Sequence, residues 1–187
     1  MYRNGPTLDT ERLLLRPTDA EDLDGWAELM GDPATARFIG GVQPRAACWR
    51  GMMTMAGSWA CHGFGMFSVI EKASGRWIGR IGPWQPEGWP GTEVGWGLVK
   101  AACGKGYAQE AATAAIDWAF DILGWSEVIH CIDLENIPSI RLAERLGSTH
   151  RGPGELPAPF EHYAVDIWGQ SKEQWRAGRG KSHRAHG

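Results

Sequence analysis

The chain has 187 residues and a net charge of −3, and its 43% hydrophobic content against 22% charged residues fits one packed domain and excludes wholesale disorder. A general nucleic-acid binder is excluded as well, because neutralising phosphates takes a basic surface. No apolar run reaches the ~18–20 residues of a membrane span, and Met1 to Pro17 lacks the charged-then-apolar layout of a signal peptide, so a cytoplasmic protein with no membrane partner is expected.

Glu11–Arg16 (ERLLLR) reads as a first strand, broken by Pro17 and Thr18. Asp19 offers a side-chain oxygen to the unpaired amides of a helix start, and Asp22 follows at the spacing of a capping box. That helix runs to about Met30, with Leu23, Trp26, Ala27 and Met30 inward, and Gly31-Asp32-Pro33 ends it. Pro44 opens a second helix with Trp49, Met52, Met53 and Ala56 inward, and His62-Gly63 closes it. Three strands come next, Phe64–Glu71, Arg76–Trp84 and Thr92–Val99, with a tight turn at Ala73-Ser74-Gly75. They are expected to form an antiparallel meander.

The period then changes. Ala108, Ala111, Ala112, Ala115, Ile116, Ala119, Phe120 and Leu123 recur at intervals of three and four, the clearest helix in the chain. Gly124 stops it. Glu127–Ile132 is a strand, Asn136-Ile137-Pro138 starts a helix through Leu146, and Gly147 ends that helix. Phe160–Trp168 reads as the last strand and Ser171–Trp175 as one helical turn. Residues 1–177 are read as a single domain, and the polar, glycine-rich residues 178–187 as a flexible tail.

The four cysteines, Cys48, Cys61, Cys103 and Cys131, show no CxxC spacing and read as reduced, mostly buried thiols; no metal site is expected. His130 alternates with Val128 and Ile132 and reads as a core or interface histidine. Eleven tryptophans stand against three tyrosines, and Trp84, Trp89 and Trp96 surround a Gly/Pro-rich stretch. They read either as an aromatic-walled pocket or as rings lying flat on the core.

The chemistry points to Thr92–Gly147. A strand ends near Val99, the turn Cys103-Gly104-Lys105-Gly106-Tyr107-Ala108 follows, and a helix begins at once. The first-turn amides of a helix lack internal partners and the dipole adds partial positive charge, so such a junction suits an anion. Gly104 and Gly106 let a phosphate approach the backbone, and Lys105 adds a full charge. A P-loop is a poor fit, because Gly106 follows Lys105 where a hydroxyl is needed for magnesium. A dinucleotide fingerprint keeps Gly104 and Gly106 but has Gln109 in place of the third glycine, with Asp133 as the candidate ribose acid. Coenzyme A is the third ligand class.

These residues resemble a known family. GTEVGWGL, GKGYAQEA (Gly104–Ala111), Asn136 and Ser139, and Leu146-Gly147 follow one another as in the Gcn5-related N-acetyltransferases (GNAT), in particular the ribosomal-protein N-terminal acetyltransferase-like branch. Glu11–Pro17, His62–Gly82 and Tyr163–Trp175 resemble that branch too. The resemblance implies an α/β fold, a mixed but mostly antiparallel sheet flanked by helices. It implies that the fourth and fifth strands, Thr92–Val99 and Glu127–Ile132, splay to admit acetyl-CoA. Backbone groups around Leu98 and Val99 would pair with the pantetheine arm. Amides from Gly104 through Lys105, Gly106 and Tyr107 to Ala108 would hold the pyrophosphate, and Asn136 would bind the pantetheine side. Two departures stand out. Cys103 replaces the usual Gln or Arg, and Ala143 stands where many members carry an acid tyrosine; Ser139 matches the serine proposed for that role in this branch.

Acetyl transfer needs a neutral amine, and a free alkyl amine with a pKa near ~8–10.4 is mostly protonated at neutral pH. Glu93 is the candidate base, set against an ordinary ion-paired strand glutamate. Glu110 reads as structural. Phe38, Trp84 and Trp89 are the candidates for the acceptor side. The expected function is an acetyl-CoA-dependent N-acetyltransferase acting on a primary amine, a small molecule or a protein N-terminus, by direct attack in a ternary complex. The alternatives are a non-catalytic acyl-CoA-binding module and a nucleotide-dependent oxidoreductase. A homodimer is the default assembly.

Overall fold

The computed structural model describes residues 5–184. The described residues form two compact units, the first comprising residues 5–84 with Val94–Ala115, the second Gln85–Glu93 with residues 116–184.

The first unit opens with β1 (Leu8–Asp9) and β2 (Leu13–Arg16), followed by a 3-10 turn at Ala20–Asp22 and then α1 (Leu23–Gly31). The capping box read from Asp19 and Asp22 is present. Asp22 does more than cap: it is buried and takes a two-pronged bond from Arg16, at 2.6 and 2.9 Å, and a 2.6 Å bond from Ser68 Oγ. A buried ion pair tied down by further donors fixes how strand and helix meet, although it adds little net stability. A short α2 (Pro33–Ala36), capped by Asp32, follows where a helix end was expected.

Next is α3 (Arg45–His62), ended by Gly63 at φ +74°. Its buried face is Cys48, Met52, Met55 and Trp59, and Trp49, expected inward, is 50% exposed. Methionine and tryptophan sit on several faces of this helix, so periodicity alone left the inward face open. The meander is β3 (Phe67–Glu71), β4 (Trp77–Trp84) and β5 (Glu93–Leu98). β1 to β4 pair antiparallel in order, and β4 neighbours β5. Close approaches demand two glycines. A Cβ at Gly25 of α1 would meet the Trp77 ring at 2.4 Å, and one at Gly79 would meet the Gly97 carbonyl at 2.3 Å.

Helix α4 (Tyr107–Asp121) leads from one unit into the other along the chain, and its Ala111, Ala112, Ala115, Ile116, Ala119 and Phe120 are all buried as the spacing requires. In the second unit come β6 (Glu127–Asp133), α5 (Ile137–Arg145), β7 (Thr149–Gly154), β8 (Val165–Ser171) and α6 (Lys172–Arg184). The strand order is β6-β8-β7, both pairings antiparallel, and Glu93 at the start of β5 pairs in parallel with Ile129 of β6. That parallel pair falls on the two strands expected to part. The fold is thus mixed α/β with mostly antiparallel pairing. The dinucleotide fold is built on parallel strands, so the oxidoreductase reading falls.

Three sequence readings are corrected here. β7 was missed because Pro153 and two glycines mask it; it lies at the edge of β6-β8-β7, where a proline costs no ladder bond. The last strand starts at Val165, not Phe160, because Pro157 and Pro159 turn the chain and Phe160 and Tyr163 close turns with N–H bonds to Pro157 O and Phe160 O. α6 is much longer than one turn. Ser171 and Gln174 exchange side-chain-to-amide bonds as a capping box, and Trp175 Nε1 anchors the helix on Asp117 at 2.7 Å. The helix passes position 178, where a flexible tail was expected; residues 185–187 of that tail lie outside the described residues. No helix among the described residues is long and apolar enough to cross a membrane.

His130 is buried as expected for a core histidine, with Nε2 3.0 Å from Ser148 Oγ; Gln170 Nε2 donates to that hydroxyl and to Leu146 O. All four cysteines are free, but Cys61 and Cys103 are exposed and Cys131 half-buried, so the expectation of mostly buried thiols holds fully only for Cys48.

Candidate active site

In the first unit the glycine turn enters α4 through two left-handed residues, Gly104 at φ +75° and Gly106 at φ +81°. Only glycine takes that backbone without cost. A Cβ at Gly104 would meet nothing within 4 Å, so the outer side of the turn is open. The first helical bond of α4 runs from Glu110 N to Gly106 O, which leaves the preceding amides without helical acceptors.

A residue from the far end of the chain holds this turn. Arg12 Nη1 donates to Lys105 O at 2.9 Å, and Arg12 Nε donates to Glu110 Oε2 at 2.7 Å. Glu110 Oε1 accepts from the Arg12 backbone N–H and from Thr10 Oγ1. The Arg12 guanidinium also lies 4.6 Å above the Tyr107 ring, whose hydroxyl donates to Glu71 Oε1 at 2.6 Å. Burial works against the Glu110 carboxylate, but the bonds from Thr10 and Arg12 outweigh it and hold its pKa below the usual range. Bonds from Ser74 and Tyr107 hold Glu71 low in the same way. Glu110 is structural, as read. Arg12 was missed as a contributor, because nothing in ERLLLR says that it meets a turn 93 positions away.

Other first-unit candidates divide. Leu98 and Val99 are buried. Val99 donates its N–H to Ile78 O and its carbonyl accepts from Ala102, so any strand-like pairing along β5 rests on the residues before it. Cys103 is exposed as a residue, but its Sγ, 3.6 Å from Val99 O, is partly desolvated, and that, helped by Asp32, pushes its thiol up, so it brings no charge to the turn. Lys105 and Lys100 are exposed, and Phe38 lies under the Arg37 guanidinium at 4.4 Å.

In the second unit Glu93 is 6% exposed. Its Oε2 accepts from Trp89 Nε1 at 2.5 Å and its Oε1 from the Cys131 backbone N–H at 3.2 Å. Trp89 packs edge-on against Phe160 at 6.3 Å and 83°. Asn136 caps α5, its Oδ1 accepting from Ser139 N at 3.3 Å, which places both at the first turn of that helix, half-buried. Trp84 belongs to the first unit and Trp89 to the second, and both are half-buried. Among the described residues no group of three or more His, Cys, Asp or Glu side chains gathers to hold a metal.

Known proteins resemble this arrangement. A family model for the acetyltransferase (GNAT) domain matches residues 12–149. An uncharacterized N-acetyltransferase of Bacillus licheniformis, p20, is 31% identical over 150 residues, 78% of this chain and 84% of that protein. The crystal structure of an acetyltransferase from Agrobacterium tumefaciens strain C58 superposes with a TM-score of 0.79 at 30% identity, covering 92% of this chain and 98% of the other. The ribosomal-protein-S5-alanine acetyltransferase of Vibrio fischeri shares the fold with a TM-score of 0.65 at 15% identity, covering 91% and 98%.

Proposed function

The chain belongs to the GNAT acetyltransferase family, and from that premise we propose that it acetylates a primary amine with acetyl-CoA in one ternary complex. We place it in the ribosomal-protein N-terminal acetyltransferase-like branch, with a protein N-terminus or a small amine as acceptor. The observation that carries this reading is the glycine turn: two left-handed glycines, open space around Gly104, and first-turn amides of α4 that precede its first helical bond. The residues present fit a pyrophosphate. Amides from Gly104 to Ala108 and the Lys105 charge hold it, Leu98 and Val99 flank the pantetheine arm, and Asn136 binds that arm through its side-chain amide.

Acetyl-CoA supplies the acetyl group as a thioester, whose C–S bond is exchanged overall for an amide C–N bond. Of the two protons the ammonium loses, one ends on sulfur and one reaches solvent. Glu93 takes the proton that frees the amine lone pair. Ser139 donates the proton that neutralises the departing sulfur and is refilled by the second proton that the nitrogen sheds, while the proton taken by Glu93 passes to solvent. A positioned acid or base contributes ~10²–10⁴-fold. Phe38, Trp84 and Trp89 belong to the acceptor side.

Calorimetry with acetyl-CoA, followed by free-thiol release against a panel of small amines and N-terminal peptides, tests this. Binding with thiol release for one amine class is expected. Binding with no release for any amine would favour the non-catalytic acyl-CoA-binding module instead.

A further inference from the structure

Glu93 is nearly out of solvent, and burial alone would favour its neutral acid. Its surroundings work the other way. Trp89, four residues upstream in the loop before β5, gives Oε2 an indole N–H. Cys131 on β6 gives Oε1 its backbone N–H and hydrogen-bonds the same carboxylate through its thiol. Phe160 braces the indole from its edge. An indole N–H can only donate. Burial first, and the adjacent carboxylate second, push the Cys131 thiol up, so its S–H stays a donor. Cys131 is the titratable group that the described contacts bring to this carboxylate.

We propose that Trp89 and Cys131 are positioning residues, holding the Glu93 carboxylate in one orientation as an anion ready to accept a proton. This rests on the reading of Glu93 as the base. Neutral donors suit that task better than a cation. A paired arginine would fix the carboxylate but drain its basicity, whereas a base works best with a pKa not far below the working pH. Uncharged donors orient the group and cost it less basicity. Glu110, clamped by Arg12, shows the other arrangement in the same chain.

Two measurements test the proposal. The first is the indole N–H spectrum of the protein without acetyl-CoA, with the Trp89 resonance assigned by its loss in Trp89→Phe. It should move with pH as Glu93 titrates and lose that inflection in Glu93→Gln; an inflection that survives Glu93→Gln overturns the proposal. The second is the pH profile of kcat/KM for an accepted amine, expressed per neutral amine so that the amine's own ionisation drops out. Removing a donor from the carboxylate raises its pKa, so Trp89→Phe and Cys131→Val should move the acid limb up by about one pH unit, with KM for acetyl-CoA unchanged. Cys131→Ser, which keeps a donor, should restore it. If Trp89→Phe does not fold, the Cys131 pair decides. A limb that persists in Glu93→Gln removes the base reading itself. A limb erased by Glu93→Gln yet unmoved by Trp89→Phe and Cys131→Val overturns the positioning role alone.

Discussion

The turn before α4 and the carboxylate at the start of β5 are both held by convergent hydrogen bonds, but of opposite kinds. The turn is held by charge near solvent: Arg12, with its side chain 43% exposed, bridges Lys105 O and Glu110. The Glu93 carboxylate is held by uncharged donors away from solvent. Salt weakens the first kind because it lies in solvent, and such exposed pairs contribute little each. The second is scarcely screened, and losing a buried partner costs the full desolvation of what remains. The difference suits the proposed tasks. An anion-binding turn has only to keep its amides aligned and its outer side open. A base must keep one geometry and one protonation state.

The sharpest way to break the comparison is Glu93→Gln, which keeps the acceptor for Trp89 but cannot take a proton. Turnover should fall ~10²–10⁴-fold while acetyl-CoA affinity by calorimetry stays at the wild-type value. A matching loss of affinity would mean that the residue shapes the site and does not act as its base. Next in size is Gly104→Val. Nothing in the protein obstructs a side chain there, so the effect isolates backbone strain at φ +75° and intrusion into the open side of the turn. A β-branched residue in that region costs on the order of 1–3 kcal/mol, which predicts acetyl-CoA binding weaker by ~10–100-fold. Unchanged affinity would move the phosphate site elsewhere.

The two regions were unequally legible in the sequence. The turn could be read because its signals are local: a strand end, two glycines, then an alanine-rich period of 3.6. Asp19 and Asp22 declared a helix start for the same reason. What holds each region is not local. Arg12 meets Lys105 and Glu110 across more than 90 positions, and Cys131 meets Glu93 across 38. Trp89 is close to Glu93 in sequence, and an alternating strand preceded by a tryptophan gives no hint that the indole folds back on the acid. The face of α3 was misread because several of its faces are apolar. β7 was missed because Pro153 and its glycines argue against any strand except one at an edge.

The smallest predicted effect concerns Arg12. Arg12→Ala removes the bond to Lys105 O and one of the three bonds to Glu110 but leaves the glycines and the helix amides in place, so acetyl-CoA affinity should drop only about threefold to fivefold at low salt. The gap between variant and wild type should shrink as salt rises, because what was lost is screened anyway. The sign of the pH effect follows from Glu110 and Glu71. Both have folded-state pKa values below the ordinary carboxylate range, so their support for the turn is fully present above that range and is lost as pH falls through the lowered values. Acetyl-CoA affinity should therefore stay flat from neutral pH down through the ordinary carboxylate range, and fall only below it, where these two carboxylates protonate. In Arg12→Ala the Glu110 pKa rises toward normal, and the decline should begin at higher pH. An affinity that is indifferent to salt and identical in its pH onset would show that the turn keeps its shape without Arg12, held by the backbone of α4 alone.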